Sequence, residues 1–227
     1  IASSKNLDVD NGDDKFLKIV KNITSKGFVR SNYEEKLVDL CDEVIDCPHS
    51  TPKYVELKTE YPCIRTTELD GGSINWSKMK YLDHEGYLER TKRLVPKSGD
   101  VIYGREGTFG EAAIVPENTK MCLGQRVMLF RPNTELMNSV FFHAVIRSKG
   151  LYHQALRVNS GSTVGHVNVK DIKQFKLIVA PMDLQRQFAQ RVQMIEVQKD
   201  QVQKSLAQAE YLFNSLLQKA FKGELIK

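Results

Sequence analysis

The last fifth of the chain carries an uninterrupted helical pattern. Within residues 184–227, Phe188, Val192, Ile195, Lys199, Val202, Leu206, Ala209, Phe213, Leu216 and Ala220 follow one another at alternating spacings of four and three, and nine of these ten positions are apolar. No Pro or Gly breaks the run before Gly223. A 3.5-residue apolar repeat predicts a helix that packs lengthwise on another helix. At 1.5 Å per residue the seam runs roughly 50 Å, longer than a small domain needs to cover its own core. The pattern therefore predicts a spacer rod joined to a globular head. A long amphipathic helix can also be the lid of its own domain. Lys199 favours the rod, because a single polar seam position fixes register or partner orientation at some cost in stability.

Ahead of the rod the periodicity is shorter and changes often. Residues 1–14 are polar, and Asp14 could cap a short helix with Phe16, Val20 and Ile23 on one face, stopped at Gly27. Residues 34–44 read as a second short helix with Leu37, Leu40 and Cys41 on one side. Residues 61–69 and 73–82 read as strands around the turn Asp70-Gly71-Gly72, and further strands fall at 90–95, 100–103, 111–115 and 121–130. Short strands at close spacing, punctuated by Gly and Pro, predict a compact, barrel-like or strongly bent sheet. Helical spacing returns at 136–149 and 151–157, and a polar loop covers 159–166. Residues 176–180 form a last strand, and the long helix is expected to start near Asp183, an N-cap residue type. The expected fold class is α+β: a mixed globular domain of short bent strands and helices, followed by one long coiled-coil-forming α-helix. The expected segments are an N-terminal extension at 1–33, a head at 34–181 and the helix at 182–227.

Composition narrows the classes. No stretch approaches the ~20 apolar residues of a membrane span, and no signal peptide is visible. Ile1 stands where a start Met is expected, so the missing signal carries little weight. Cys41, Cys47, Cys63 and Cys122 have no CxxC spacing and read as reduced cytosolic thiols rather than a zinc site or disulfide framework. Residues 1–60 hold 9 Lys/Arg against 12 Asp/Glu, residues 61–181 hold 17 against 11, and residues 182–227 hold 7 against 5. The basic excess lies mid-chain, where a polyanion would be held.

Enzyme motifs are few. Gly104, Gly107 and Gly110 match neither GxxxxGK[ST] nor GxGxxG and read as turn glycines. The five histidines lack a short metal-ligand spacing, and His143, in an apolar helix, reads as a packing residue. Glu56-Leu57-Lys58, preceded by Asp46, has the acid-x-Lys form that metal-dependent nucleases use. So short a match is common by chance. What remains fits a binder, because loop Arg, Lys, Ser, Thr and His side chains reach phosphates and base edges. The DNA-binding candidates are His49, Ser50, Thr51 and Lys53; Arg65 and Thr67; Arg90, Lys92 and Arg93; Arg105 and Thr108; and Ser160, Ser162, Thr163 and His166. The expectation concerns the set, whose loops could converge on one face.

Several segments then occur in a telling order: CPHSTP at 47–52, KSGDVIY at 97–103, GSTVGH at 161–166 followed by DIK at 171–173, PMDLQ at 181–185 and LQKAFKGEL at 217–225. The succession resembles the DNA-specificity subunit of type I restriction–modification systems, over roughly residues 37–225. It looks like one target-recognition domain followed by one conserved-region helix. The resemblance implies a bacterial or archaeal cytoplasmic protein that catalyses nothing itself. It implies double-stranded DNA as ligand, with a methylation subunit and a restriction subunit as partners. S-adenosylmethionine and ATP with Mg would then be bound by those partners, with no cofactor and no metal in this chain.

A full specificity subunit of this kind has two recognition domains and two antiparallel helices. One domain and one helix imply either a half-subunit that pairs with a copy of itself through the helix, or half of a longer chain. On this reading Arg105 forks to guanine, Ser, Thr and Lys hold phosphates, and the rod spans up to about 15 base pairs at ~3.4 Å each. Two alternatives stand beside it: a protein-interaction module dimerising through the helix, and the metal-dependent nuclease.

Overall fold

The structure, a computed structural model, describes residues 34–106, 110–158 and 167–224. The chain divides into two compact units, Ile1–Gln185 and Arg186–Lys227. The short helix expected at 14–27 and the polar loop at 159–166 lie outside the described residues.

The first unit begins with strand β1 (Glu34–Lys36), a 3-10 turn (Leu37–Leu40) and strand β2 (Cys41–Asp46). Strands β3 (Pro62–Ile64), β4 (Leu69–Asp70), β5 (Ser73–Ile74) and β6 (Lys80–Tyr81) follow, and then helix α1 (His84–Arg90). Next come β7 (Val101–Gly104), β8 (Ala112–Ile114), β9 (Cys122–Leu123) and β10 (Val127–Pro132). Helices α2 (Ser139–Ile146), α3 (Lys149–Val158) and α4 (Val169–Lys173) precede β11 (Lys176–Ile178), and α5 (Met182–Phe221) closes the list of elements.

An antiparallel sheet of order β2-β10-β7-β8 forms the centre. Its middle strand β10 reads VMLF without alternation, which marks a strand buried on both faces. Val127 and Leu129 join an apolar cluster with Ile64, Ile102, Met121 and Leu123. Phe130, from the other face, meets the rings of Tyr103 and Phe142 at 5.7 Å. Each such side chain taken from water contributes about 1.5–3 kcal/mol. The ladder shifts register at Arg131/Pro132, where the proline cannot donate. A smaller sheet of order β6-β3-β9 flanks the centre, with β3 and β9 parallel through Cys63↔Cys122. β4 and β5 pair across the Asp70-Gly71-Gly72 turn, where both glycines have positive φ.

Several local expectations are corrected. Residues 61–69 and 73–82 are not continuous strands, because 3-10 turns at Thr66–Glu68 and Trp76–Lys78 interrupt them, and residues 121–130 divide into β9 and β10, which belong to different sheets. Residues 34–44 are not a helix: β1 pairs antiparallel with β11 and β2 with β10, so long-range ladders override the local spacing. Leu37 and Leu40 are still buried, on the 3-10 turn. Residues 90–95 are not a strand: Arg90 ends α1, capped by Asp83, whose carboxylate accepts from the Gly86 N–H at 2.8 Å. The long helix begins at Met182, which places Asp183 inside its first turn rather than at its cap.

Gln185, in that turn, is fully buried within the first unit. Its amide donates to the carbonyls of Leu136 (2.9 Å) and Ala180 (2.7 Å), and its Oε1 accepts from the Asn138 N–H at 2.8 Å. Three of its four hydrogen-bonding positions are thus met, which a buried amide needs.

The second unit is the remainder of α5. Its seam residues Ile195, Val202, Leu206, Phe213 and Leu216 are all exposed, and so are Met194, Leu212 and Phe221 beside them. Lys199 Nζ pairs with Glu196 Oε1 at 2.6 Å on its own helix.

Candidate nucleic-acid interface

Strand directions bring three loops to one end of the central sheet. β2 ends at Asp46 opposite Met128, and β7 ends at Gly104 opposite Val127, where β10 begins. The segments after Asp46, after Gly104 and before Val127 must therefore lie side by side. Backbone bonds continue the ladder into them: Cys47 N–H to Val127 O at 3.3 Å, and Arg105 N–H to Arg126 O at 3.0 Å. The lead into α4 joins through Val167 N–H to Arg105 O at 3.1 Å.

Loops leave carbonyls without ladder partners, and those near the interior need donors. Arg90 supplies them. From the end of α1, only 5% exposed, it donates Nε to Leu123 O (2.8 Å) and Nη2 to Gly124 O (2.6 Å) and Pro48 O (3.3 Å). Its Nη1 reaches Ser50 O (2.8 Å) and Ser50 Oγ (3.2 Å). One guanidinium thus ties residues 48–50 to residues 123–124. A second tie runs from Gln125 Nε2 to Thr51 Oγ1 at 3.0 Å. Gly124 is needed for the close approach: a Cβ there would stand 2.7 Å from Ile64 O and 2.5 Å from Arg65 Cγ.

Arg65 is committed in the same way. Its backbone N–H, Nε and Nη2 all donate to the fully buried Glu68 carboxylate, which also accepts from Thr67 Oγ1 at 2.7 Å. The hydrogen bonds to Glu68, helped by its charge and opposed by burial, hold the Arg65 guanidinium above its usual range.

The loop end carries a chain of alternating charge. Asp46 Oδ1 meets Arg105 Nε at 3.0 Å, Glu106 Oε1 lies 3.6 Å from Arg105 Nη1, and Glu106 Oε2 lies 3.2 Å from Arg126 Nε. His49 Nε2 stands 3.7 Å from Asp46 Oδ2. Asp46, His49, Arg105, Glu106 and residues 168–171 line an open cavity of about 620 Å³. Asp46, Glu106 and Asp171 offset Arg105 and Lys170 there, so the cavity is no simple phosphate trough. Acidic side chains can accept from cytosine N4 and guanidinium groups can donate to guanine, which suits base edges.

Of the candidates, His49, Ser50, Thr51, Arg90 and Arg105 are drawn together, with Arg93 beside Pro48 and Arg90 in an adjoining cleft. Three of the arginines have internal partners. Arg90 and Arg105 are buried, and Arg65 is locked to Glu68, so their guanidinium groups are spent on the protein's own carbonyls and carboxylates. Arg105 Nε is taken up by Asp46, while the residue also lines the open cavity. Lys53 and Lys92 are exposed, and so is Thr67, whose hydroxyl is bound to Glu68. Thr108, Ser160, Ser162, Thr163 and His166 lie outside the described residues.

Sequence reasoning passed over Gln125, Arg126, Glu106 and Lys170. A cue existed in Gly124-Gln125-Arg126, a polar break inside an otherwise apolar run. His143 is half-buried, and its Nε2–H donates to Ala112 O at 3.0 Å. The acid-x-Lys idea finds Asp46 held by Arg105, while Glu56 and Lys58 are exposed. Among the described residues no group of three His, Cys, Asp or Glu side chains could hold a metal ion.

Polar loops held from beneath at the end of a bent sheet have the build of a recognition domain. The chain belongs to the family of type I restriction modification DNA specificity domains, whose family model matches residues 36–211. It is 24% identical over 176 residues to the type I restriction enzyme EcoBI specificity subunit of Escherichia coli, covering 75% of this chain and 36% of that one. The fold is similar to the type I restriction-modification S subunit of M. genitalium, with TM-score 0.56 and 11% identity over 87% of this chain and 48% of that one. It is also similar to a chain solved in work on complex assembly and conformational transition of the type I R-M system (TM-score 0.55, 19% identity, 83% of this chain and 48% of that one). The chain thus spans about a third of the curated relative's length and about half that of the solved subunits. No helix among the described residues is long and apolar enough to cross a membrane.

Proposed function

We propose that this chain recognises one half of a bipartite duplex DNA target as the specificity component of a type I restriction–modification system. The observation that carries the reading is the family match over residues 36–211, which takes in the whole loop end built by Asp46, Arg90, Arg105 and Gln125. The head acts without chemistry of its own. It positions a methylation subunit that holds S-adenosylmethionine and a restriction subunit that uses ATP and Mg, in the cytoplasm of a bacterial or archaeal cell. The exposed apolar face of α5 pairs with a second helix, from another copy or from a second half of the same subunit. Two heads related by such pairing read half-sites separated by a fixed gap.

Titration of the full chain, alone and with its methylation partner, against duplexes of random sequence tests this. Affinity should fall with salt by a slope of about −0.9 per phosphate neutralised, and a subset of sequences should be retained at salt that releases the rest. Retention that is neither salt-dependent nor sequence-selective would leave only a protein-interaction role for the helix.

A further inference from the structure

With Arg105 held by Asp46, the loop end carries outward guanidinium groups at Arg93 and Arg126, and the backbone of Arg126 is unusual. Arg126 has φ +64°, one of two positive-φ residues other than glycine among the described residues; the other is Asn118, a type that tolerates this region. Three contacts hold the Arg126 backbone there. Its carbonyl accepts from Arg105 N–H at 3.0 Å, Gln125 before it is tied to Thr51, and Val127 after it is paired with Gly104. A backbone outlier held this firmly by its neighbours is a pointer to function rather than a relaxed turn.

The side chain is held as well. The charge chain Asp46–Arg105–Glu106–Arg126 starts in partly buried groups and ends in solvent, with Arg105 side-chain exposure 8%, Glu106 24% and Arg126 65%. Glu106 meets Arg126 at Nε, on the stem side of a guanidinium whose side chain is 65% exposed. An arginine already fixed by a carboxylate loses less freedom when it binds, so more of its contact energy appears as affinity. Two parallel N–H donors match guanine O6 and N7 in the major groove.

We infer that Arg126 is a specificity-determining residue, which reads a guanine through its guanidinium edge while Glu106 holds it in place. The inference rests on the DNA-recognition reading above and assigns one base contact within it.

The test is selection of bound duplexes from a random pool by the full chain with its methylation partner, compared with R126G, R126K and E106Q. Glycine adopts φ +64° freely, so R126G keeps the fold, checked by a melting temperature at or above that of the parent. R126G should lose preference at one G·C position and bind the parental motif roughly 5- to 150-fold more weakly. Its affinity for unselected duplex should change far less. R126K should keep unselected affinity with a weakened guanine preference, since an ammonium lacks the planar fork, and E106Q should weaken the motif while leaving the same base preferred. Selection of the parental motif by R126G would overturn the assignment. So would a uniform loss across all sequences with a salt slope flatter by about one, because that is the mark of a phosphate contact. A parent chain that enriches no motif at all would instead defeat the DNA reading itself.

Discussion

Removing the Arg90 clamp should destabilise the head far more than removing any surface cation. Arg90→Met keeps the length of the stem and deletes every donor. Leu123 O and Gly124 O, which now accept at 2.8 and 2.6 Å in the interior, would be left unpaired. Each buried acceptor without a partner costs about 1–3 kcal/mol. Pro48 O and Ser50 O sit nearer solvent and can turn to water, so their loss adds little. Against this, the cation no longer has to be desolvated, which returns part of the cost. The expected net loss is about 2–4 kcal/mol, and at ~2–4 °C per kcal/mol for a unit of this size the melting point should fall by about 5–15 °C. Arg90→Lys keeps the charge but offers a point donor instead of a fork, and should recover about half. Urea and thermal unfolding followed by the single tryptophan, Trp76, report on the head that carries both. An Arg90→Met protein within about 0.5 kcal/mol of the parent, or an Arg90→Lys protein as stable as the parent, would refute the clamp.

Two other outcomes follow from single side chains. Burial, with the Arg147 cation pushing the same way, holds His143 below the usual imidazole range, despite the opposing influence of its bond to Ala112 O and of Glu111. The unfolded chain takes up this proton near pH ~6.5 and the folded chain only below that, so stability falls as pH drops from about 6.5 toward the folded value. His143→Gln keeps a donor for Ala112 and should flatten the melting-point profile in that window. A mutant profile parallel to the parent's would mean that His143 is not the titrating group. In α5, Lys199→Leu makes the seam wholly apolar and should strengthen helix pairing while scrambling its register, read by sedimentation and by the gap between half-sites. An unchanged dimer with an unchanged gap would remove Lys199 from any role in register.

Much of the architecture was legible because it rests on local pattern. The apolar run within 121–130 announced a strand, Asp70-Gly71-Gly72 a turn between strands, the spacing over 136–149 a helix, and the uninterrupted stretch from residue 184 the long one. The misses have two causes. Residues 34–46 carry spacing compatible with either period, and only pairing with β10 and β11, distant in sequence, settles it. Helix α1 contains Gly86 and buries only Tyr87 and Arg90, so its periodicity spans a single turn. At the candidate interface, sequence could name loop arginines but not which way they face. Arg65, Arg90 and Arg105 look identical to Arg126 in a list of cations, and only the position of Glu68, of the loop carbonyls and of Asp46 separates them.

That separation changes how the basic middle of the chain should be read. Its excess positive charge invites a polyanion, yet several of its arginines answer to internal partners: Arg65 to Glu68, Arg105 to Asp46, Arg131 to Asp100, Arg147 to Glu111. Arg90 has no carboxylate and is occupied by five oxygen acceptors instead. Loops that must stay polar outside cannot be anchored by apolar packing alone, since their carbonyls would be buried unpaired. A guanidinium satisfies several at once, and so arginine is used as scaffold beneath the loop end. Five of the seventeen Lys and Arg of residues 61–181 are thereby engaged inside the head, and the remaining cations supply the general attraction to a phosphate chain. Discrimination has to come from side chains that the scaffold aims, and Arg126, at the end of its charge chain, is one of them.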